Sequence, residues 1–221
     1  MRAIILAAGE GKRIKSVTDN PKCMLDVGGE TLIRRQLRLL DKIHAAPFIV
    51  AGYRYRDILD HVGYKEMVIN PVWQQSNTLI SLLFAISGSA MDCLVINGDV
   101  VFREDLLHKM LKSDYSACAV QGVDPTEEEV KVKCEGSRVT GIGKYLSGSR
   151  TEAVGVYLFR MPLVKAIRDG CYSLSNPWQL YYEDALNCHL HDHPMEIVGT
   201  TDAVEIDTPE DYEKARRIYE K

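Results

Sequence analysis

The chain has 221 residues, 46% of them hydrophobic, with 27 lysines and arginines against 31 aspartates and glutamates for a formal net charge of −4. That length and composition suit one α/β domain, 1–221, with a large core, while the mild acidity excludes a whole-protein field for nucleic acid and requires any polyanion to be held locally. No apolar run reaches the roughly 18 residues of a membrane span, and the first strand starts at once, so no membrane partner or signal peptide is expected and the cytoplasm is the expected compartment.

Ala3 to Leu6 form a short apolar strand that ends in Ala7-Ala8-Gly9 and opens into a polar, glycine-containing loop. In an open α/β sheet a ligand lies beyond the carboxyl ends of the strands, which is where this loop falls. Gly9 and Gly11 allow close backbone approach, and Arg13 and Lys22 bring two cations. Amide donors with cations suit a triphosphate. The spacing matches neither a Walker loop nor GxGxxG.

Thr31 caps a helix running to about His44, Pro47 to Gly52 is a strand, Arg54 to His61 a short helix and Glu66 to Asn70 a strand. This βαβ alternation predicts a three-layer α/β sandwich with a mostly parallel mixed sheet. The loop Asn70 to Asn77 precedes a helix from Thr78 to Ile86; its Gln75, Ser76 and Asn77 either hydrogen-bond a base edge or phosphate, or simply cap that helix. Cys93 to Ile96 is the most strand-like run and ends in Asn97-Gly98-Asp99. Asp99 is placed either to hold a magnesium ion facing phosphates or to cap the helix from Glu104 to Lys112.

Tyr115 to Val123, Glu129 to Cys134 and Val139 to Ile142 read as strands, separated by turns at Asp124-Pro125 and Glu135-Gly136-Ser137. They complete the sheet and add a small antiparallel ribbon. Lys144 follows, then a strand from Glu152 to Phe159 with Gly155 inside it, a sign of close approach. After a helix from Pro162 to Arg168, the run Pro177 to His189 is predicted as one helix carrying Trp178, Tyr181, Tyr182 and Asp184; its rings either bury themselves or line an acceptor pocket suited to an amine. His189, His191 and His193 alternate into Pro194 and read as a polar turn. The six cysteines form no CxxC pair and read as core filling. Two short strands, Met195 to Val198 and Ala203 to Ile206, lead to Asp207, and Thr208-Pro209 with Asp211 starts a helix to Tyr219.

Leu6, Gly9, Gly11 and Arg13 followed by Pro21-Lys22 resemble the LxxGxGxR…PK signature of nucleotidyltransferases with a glycosyltransferase-A-like fold. With the NPxWxxSNTxxSL, YYEDAL and EIDTPEDY segments, the chain is similar to small cytidylyltransferases such as those acting on phosphocholine, 2-aminoethylphosphonate and phosphoglutamine-type acceptors. The resemblance implies Mg²⁺ on Asp99 and Asp207, nucleotide at Leu6, Ala7, Ala8, Gly9, Glu10 and Gly11 and at Gln75, Ser76 and Asn77, and Arg13 and Lys22 as the catalytic cations. Lys144 is implied to reach the acceptor phosphate, and the acceptor-side candidates are completed by Glu152, Trp178, Tyr182 and Asp184. Glu183, rather than an aromatic, precedes Asp184, which departs from a choline cage. CTP and a small phosphorylated acceptor are then the expected partners of a monomer or homodimer. A sugar-1-phosphate enzyme using UTP, GTP or dTTP, and an inactive nucleotide-binding regulatory subunit, are the alternatives.

Overall fold

A computed structural model describes residues 1–63, 66–122 and 129–220. The central strand β1 (Arg2–Ala7) is apolar from Ala3 to Ala7 and almost wholly buried, as a strand covered on both faces must be. It pairs in parallel with β2 (Ala46–Ala51) and with β4 (Cys93–Asn97), and β3 (Met67–Ile69) extends the parallel run beyond β2. On the other side β9 (Thr151–Phe159) runs antiparallel between β4 and β6 (Ser116–Gly122). Beyond β6 lie β10 (Met195–Gly199), parallel to it, and the hairpin β8 (Arg138–Gly143) and β7 (Lys131–Glu135). The nine-stranded order is β3-β2-β1-β4-β9-β6-β10-β8-β7, with β7 also touching the start of β9. A separate antiparallel ribbon joins β5 (Val100–Val101) to β11 (Val204–Glu205).

Alternation along β1 divides the core. Ile4 and Leu6 face the layer of α3 (Thr78–Ile86), α5 (Met161–Gly170) and α6 (Tyr182–Asn187), whereas Ala3, Ile5 and Ala7 face α1 (Leu32–Lys42), α2 (Tyr55–Val62) and α4 (Glu104–Leu111). The expected three-layer α/β sandwich is therefore formed. A third cluster, with Ile14, Leu25 and Val27 from the first loop, packs against α7 (Pro209–Tyr219), so the C-terminal helix backs the segment that carries Lys22.

The predicted continuous helix from Pro177 to His189 does not form. Pro177–Gln179 make a single 3-10 turn, Leu180 and Tyr181 are extended, and α6 starts at Tyr182. The cause is tertiary: the carbonyls of Trp178 and Leu180 accept the amides of Asn77 and Leu79, satisfying the exposed donors at the start of α3. The histidine segment after α6 is a turn, as expected. Cys134 and Cys188 are exposed, so core filling describes only the other four cysteines. Val123 and the Asp124-Pro125 turn lie outside the described residues. Among the described residues no helix is long and apolar enough to cross a membrane.

Candidate active site

The carboxyl ends of β1, β4 and β11 open into one cleft. The amide of Gly98 donates to the carbonyl of Leu6 at 2.8 Å, which draws Asp99 beside the first loop, and the amide of Ile206 donates to the carbonyl of Asp99 at 3.0 Å, which brings Asp207 to the same point. Gly11 has φ +65, and a Cβ there would meet Cγ of Lys22 at 2.5 Å. Glycine takes that backbone without strain and leaves the channel through which the lysine stem passes. Lys22 Nζ ends 2.5 Å from Asp99 Oδ2 and 2.5 Å from Asp207 Oδ1. Arg13 Nη2 lies 2.7 Å from Asp207 Oδ2.

The local sequence holds Asp207 rigidly. The Asp211 carboxylate accepts the amides of Asp207 at 3.2 Å and Thr208 at 2.9 Å, closing a capping box at the start of α7. Burial alone would raise the Asp207 pKa, but Lys22 and Arg13 outweigh it and hold the carboxyl below its ordinary value. Burial likewise disfavours the Lys22 ammonium, and Asp99 and Asp207 reverse that, holding it well above the usual lysine value. Both ions are therefore charged at neutral pH.

Glu205, which the sequence reading passed over, also lines the cleft. It stands two positions before Asp207 on a short strand, and that period-2 spacing puts both side chains toward the cleft, a signal present in Glu205-Ile206-Asp207. Its Oε1 accepts Asn97 Nδ2 at 3.1 Å, and Asn97 Oδ1 in turn accepts the hydroxyl of Tyr182 at 3.0 Å. Burial, with the charges of Asp99 and Asp207 behind it, pushes the Glu205 carboxyl well above its ordinary value. Next to this chain Glu183 is buried, accepts the Tyr157 hydroxyl at 3.0 Å, and is pushed by burial from 4.5 up to about 7.

A carboxyl whose folded-state pKa is raised gives stability that is complete below the unfolded value and lost as pH rises through the folded one. The window for Glu183 is therefore 4.5 to about 7. Glu183→Gln should make the fall in stability between pH 5 and pH 8 smaller by on the order of 3 kcal/mol, read by denaturant titration at both pH values. An unchanged fall would show that folding does not raise the pKa of this carboxyl.

The cleft encloses about 1180 Å³. Among the nucleotide-side candidates, Leu6, Ala8, Gly9, Glu10 and Gly11 line it, but Ala7 does not, since strand alternation turns it into the opposite core. Ser76 and Asn77 line it while serving their own loop: Ser76 Oγ bonds Asn70 and the carbonyl of Val72, and Asn77 Oδ1 caps α3 through the Thr78 amide. Gln75 lies off the cleft and accepts Gln179 through its carbonyl. Trp73 stands in its stead, held edge-on by Tyr53 at 5.4 Å between ring centroids.

On the acceptor side, Lys144 and Glu152 line the cleft; Lys144 Nζ sits 4.8 Å from the Tyr181 ring centroid and Glu152 accepts Gln121 Nε2 at 2.5 Å. Trp178 and Asp184 do not reach it, because the break at Leu180 rotates Trp178 outward and because the Asp184 carboxylate caps α6 through the Tyr181 amide at 2.9 Å. Tyr182 borders the cleft from inside the core, fully buried, with only its hydroxyl directed at Asn97.

Asp99 and Asp207 converge on a single cationic atom with hard oxygen donors, which suits a magnesium-type ion completed by phosphate oxygens and water. Among the described residues no three His, Cys, Asp or Glu side chains form a cage of their own.

Comparison with known proteins bears on the family and the fold. The chain is 34% identical over 110 residues to the bifunctional protein GlmU of Methanococcus aeolicus, covering 48% of this chain and 26% of the relative. It spans about half or less of the curated relatives it matches. Its fold is that of the inositol-1-phosphate CTP transferase from T. maritima, with TM-score 0.81, 23% identity and coverage of 98% of this chain and 95% of the other. It is also that of the CTP:phosphocholine cytidylyltransferase LicC from Streptococcus pneumoniae, with TM-score 0.77, 23% identity and 98% coverage of both chains. The model of the MobA-like NTP transferase domain matches residues 3–178, and the chain belongs to that family.

Proposed function

We propose that the chain transfers a cytidylyl group from CTP to a small phosphorylated acceptor, with release of pyrophosphate. The observation that carries this reading is the meeting of Lys22 and Arg13 with Asp99 and Asp207 at the mouth of the first loop. Two cations beside glycine-loop amides suit a triphosphate, and two acids at the same point suit its metal. CTP is favoured because both CTP transferases above share the fold and nearly the full length of this chain.

An oxygen of the acceptor phosphate attacks the α-phosphorus; a new P–O bond forms as the bond to the β-phosphate oxygen breaks, and pyrophosphate leaves with that electron pair. An acceptor already anionic at neutral pH needs no strong general base. Arg13 holds the β and γ oxygens, and Lys22 the α-phosphate and acceptor side. Backbone at Ala8 and Gly9 meets the base. Asp99 and Asp207 would hold Mg²⁺, which when bound supplies charge neutralisation at the phosphoryl oxygens. In-line positioning and this neutralisation are the catalysis required.

The GlmU matches favour a second reading, a sugar-1-phosphate acceptor with another nucleotide. Pyrophosphate release from each of four NTPs, offered with phosphocholine, 2-aminoethylphosphonate, inositol phosphate and several sugar-1-phosphates, separates the two. Turnover is expected with CTP. Turnover only with UTP, GTP or dTTP and a sugar phosphate would replace this reading, and no release from any pair would leave a nucleotide-binding subunit.

Lys144→Ala should raise the acceptor KM about tenfold with the CTP KM little changed, as loss of one charge-assisted contact implies. Trp178→Ala and Asp184→Ala, off the cleft, should leave the acceptor KM unaltered. Initial rates at varied acceptor concentration decide both points.

A further inference from the structure

We propose that Lys22 acts as an internal substitute for the divalent cation, so that the cleft admits metal and triphosphate only together. The ligand it selects is then the metal–triphosphate complex, in preference to either free component. This rests on the reading of Asp99 and Asp207 as the residues that hold the metal.

The ammonium of Lys22 occupies the point where the two acids converge, 2.5 Å from an oxygen of each. Arg13 takes the remaining oxygen of Asp207 at 2.7 Å. Two acids and two cations thus neutralise one another, and the lysine stem is guided there by the channel over Gly11. A free divalent ion entering this cluster meets carboxylates whose charge is already matched, and must lie beside an ammonium. Nor does Glu205 complete a cage for it, being tied back to Asn97.

Free triphosphate has the converse difficulty. Its counter-charges, Lys22 and Arg13, are engaged by the acids, and lifting them away leaves two carboxylates unpaired beside the phosphates. When both ligands arrive, the partners exchange: the ammonium and guanidinium move to phosphate oxygens, the carboxylates to the metal, and the triphosphate supplies the oxygen donors that the protein lacks. The flexible four-carbon stem of lysine allows that swing without a change of fold. Coupling of this kind is reciprocal, so each ligand tightens the other equally.

The decisive variant is Lys22→Gln, with Mn²⁺ as the probe, followed by electron paramagnetic resonance in the absence of nucleotide. The variant is expected to bind Mn²⁺ about tenfold or more tightly than the wild type, a modest part of the repulsion between charges a few ångströms apart. Calorimetry should show wild-type CTP affinity about tenfold or more weaker in chelator than in saturating Mn²⁺. Equal Mn²⁺ affinities for wild type and Lys22→Gln, both abolished by Asp99→Asn, would overturn the lock while leaving the metal reading intact. Mn²⁺ binding indifferent to Asp99→Asn would overturn both. Should Lys22→Gln fail to fold, Arg13→Gln relieves Asp207 from the more exposed side; it should shift Mn²⁺ affinity in the same direction, and no shift would count against the proposal.

Discussion

Asp99→Asn should lower kcat for pyrophosphate release by on the order of 10³-fold while the melting temperature moves by only about a few degrees. The substitution keeps the shape of the side chain and removes one negative charge at a solvent-facing strand tip, where the carboxylate contacts Lys22 and packs in no core cluster. Whatever the acid contributes to binding a metal beside the α-phosphoryl group is lost in the transition state, so kcat falls and not merely KM. Asp207→Asn should do the same, and it also releases Arg13. On the proposed reading the two acids act as a unit, so the double variant should be scarcely slower than either single one. Turnover within a few-fold of wild type in either single variant would remove these acids from the chemistry.

Gly155→Val should destabilise the protein by about 3–5 kcal/mol, the sum of a left-handed backbone and an overpacked core. Gly155 has φ +68, and a Cβ there would lie 2.8 Å from Asn97 Nδ2 and 2.9 Å from Val100 Cγ2. It sits where the β6–β9 register shifts, between the Cys118–Tyr157 pair and the Val120–Ala153 pair. That bulge lets the second half of β9 run beside β4 while its start reaches β7. A loss of this size in a chain of this length corresponds to a fall in melting temperature of roughly 10 °C. Activity should fall further than stability, since the atom struck first belongs to the side chain that positions Glu205. A melting temperature within about 2 °C of wild type would show that β9 absorbs the side chain by shifting register.

The two acids and two cations were legible because each sits at a kind of place that sequence marks. A buried apolar run ending in a polar tip marks Asp99, a strand meeting a Thr-Pro helix start marks Asp207, and a glycine loop marks Arg13 and then Lys22; the pairing of the two acids on a metal came from the family resemblance. The errors share a different origin. Ala7 belongs to the same loop motif as Ala8, and only the pleat decides that one faces the cleft and the other the opposite core. Gln75 and Ser76 are equally polar neighbours, and the fold of a single turn separates them. The predicted helix from Pro177 to His189 has the right periodicity, but α3 needs its carbonyls more than a local helix does.

Local chemistry, then, was sufficient for most of the alternation of strands and helices, the α/β layering and the residues at strand tips, because burial and turn preferences act over a few residues at a time. Only the tertiary structure decided that Lys22 lies between Asp99 and Asp207, acids 77 and 185 positions away in the chain, and that Glu205 hangs from Asn97 beneath them. Distances between side chains so far apart in sequence depend on how the sheet stacks its strands. That is a property of the whole core, which no short stretch carries.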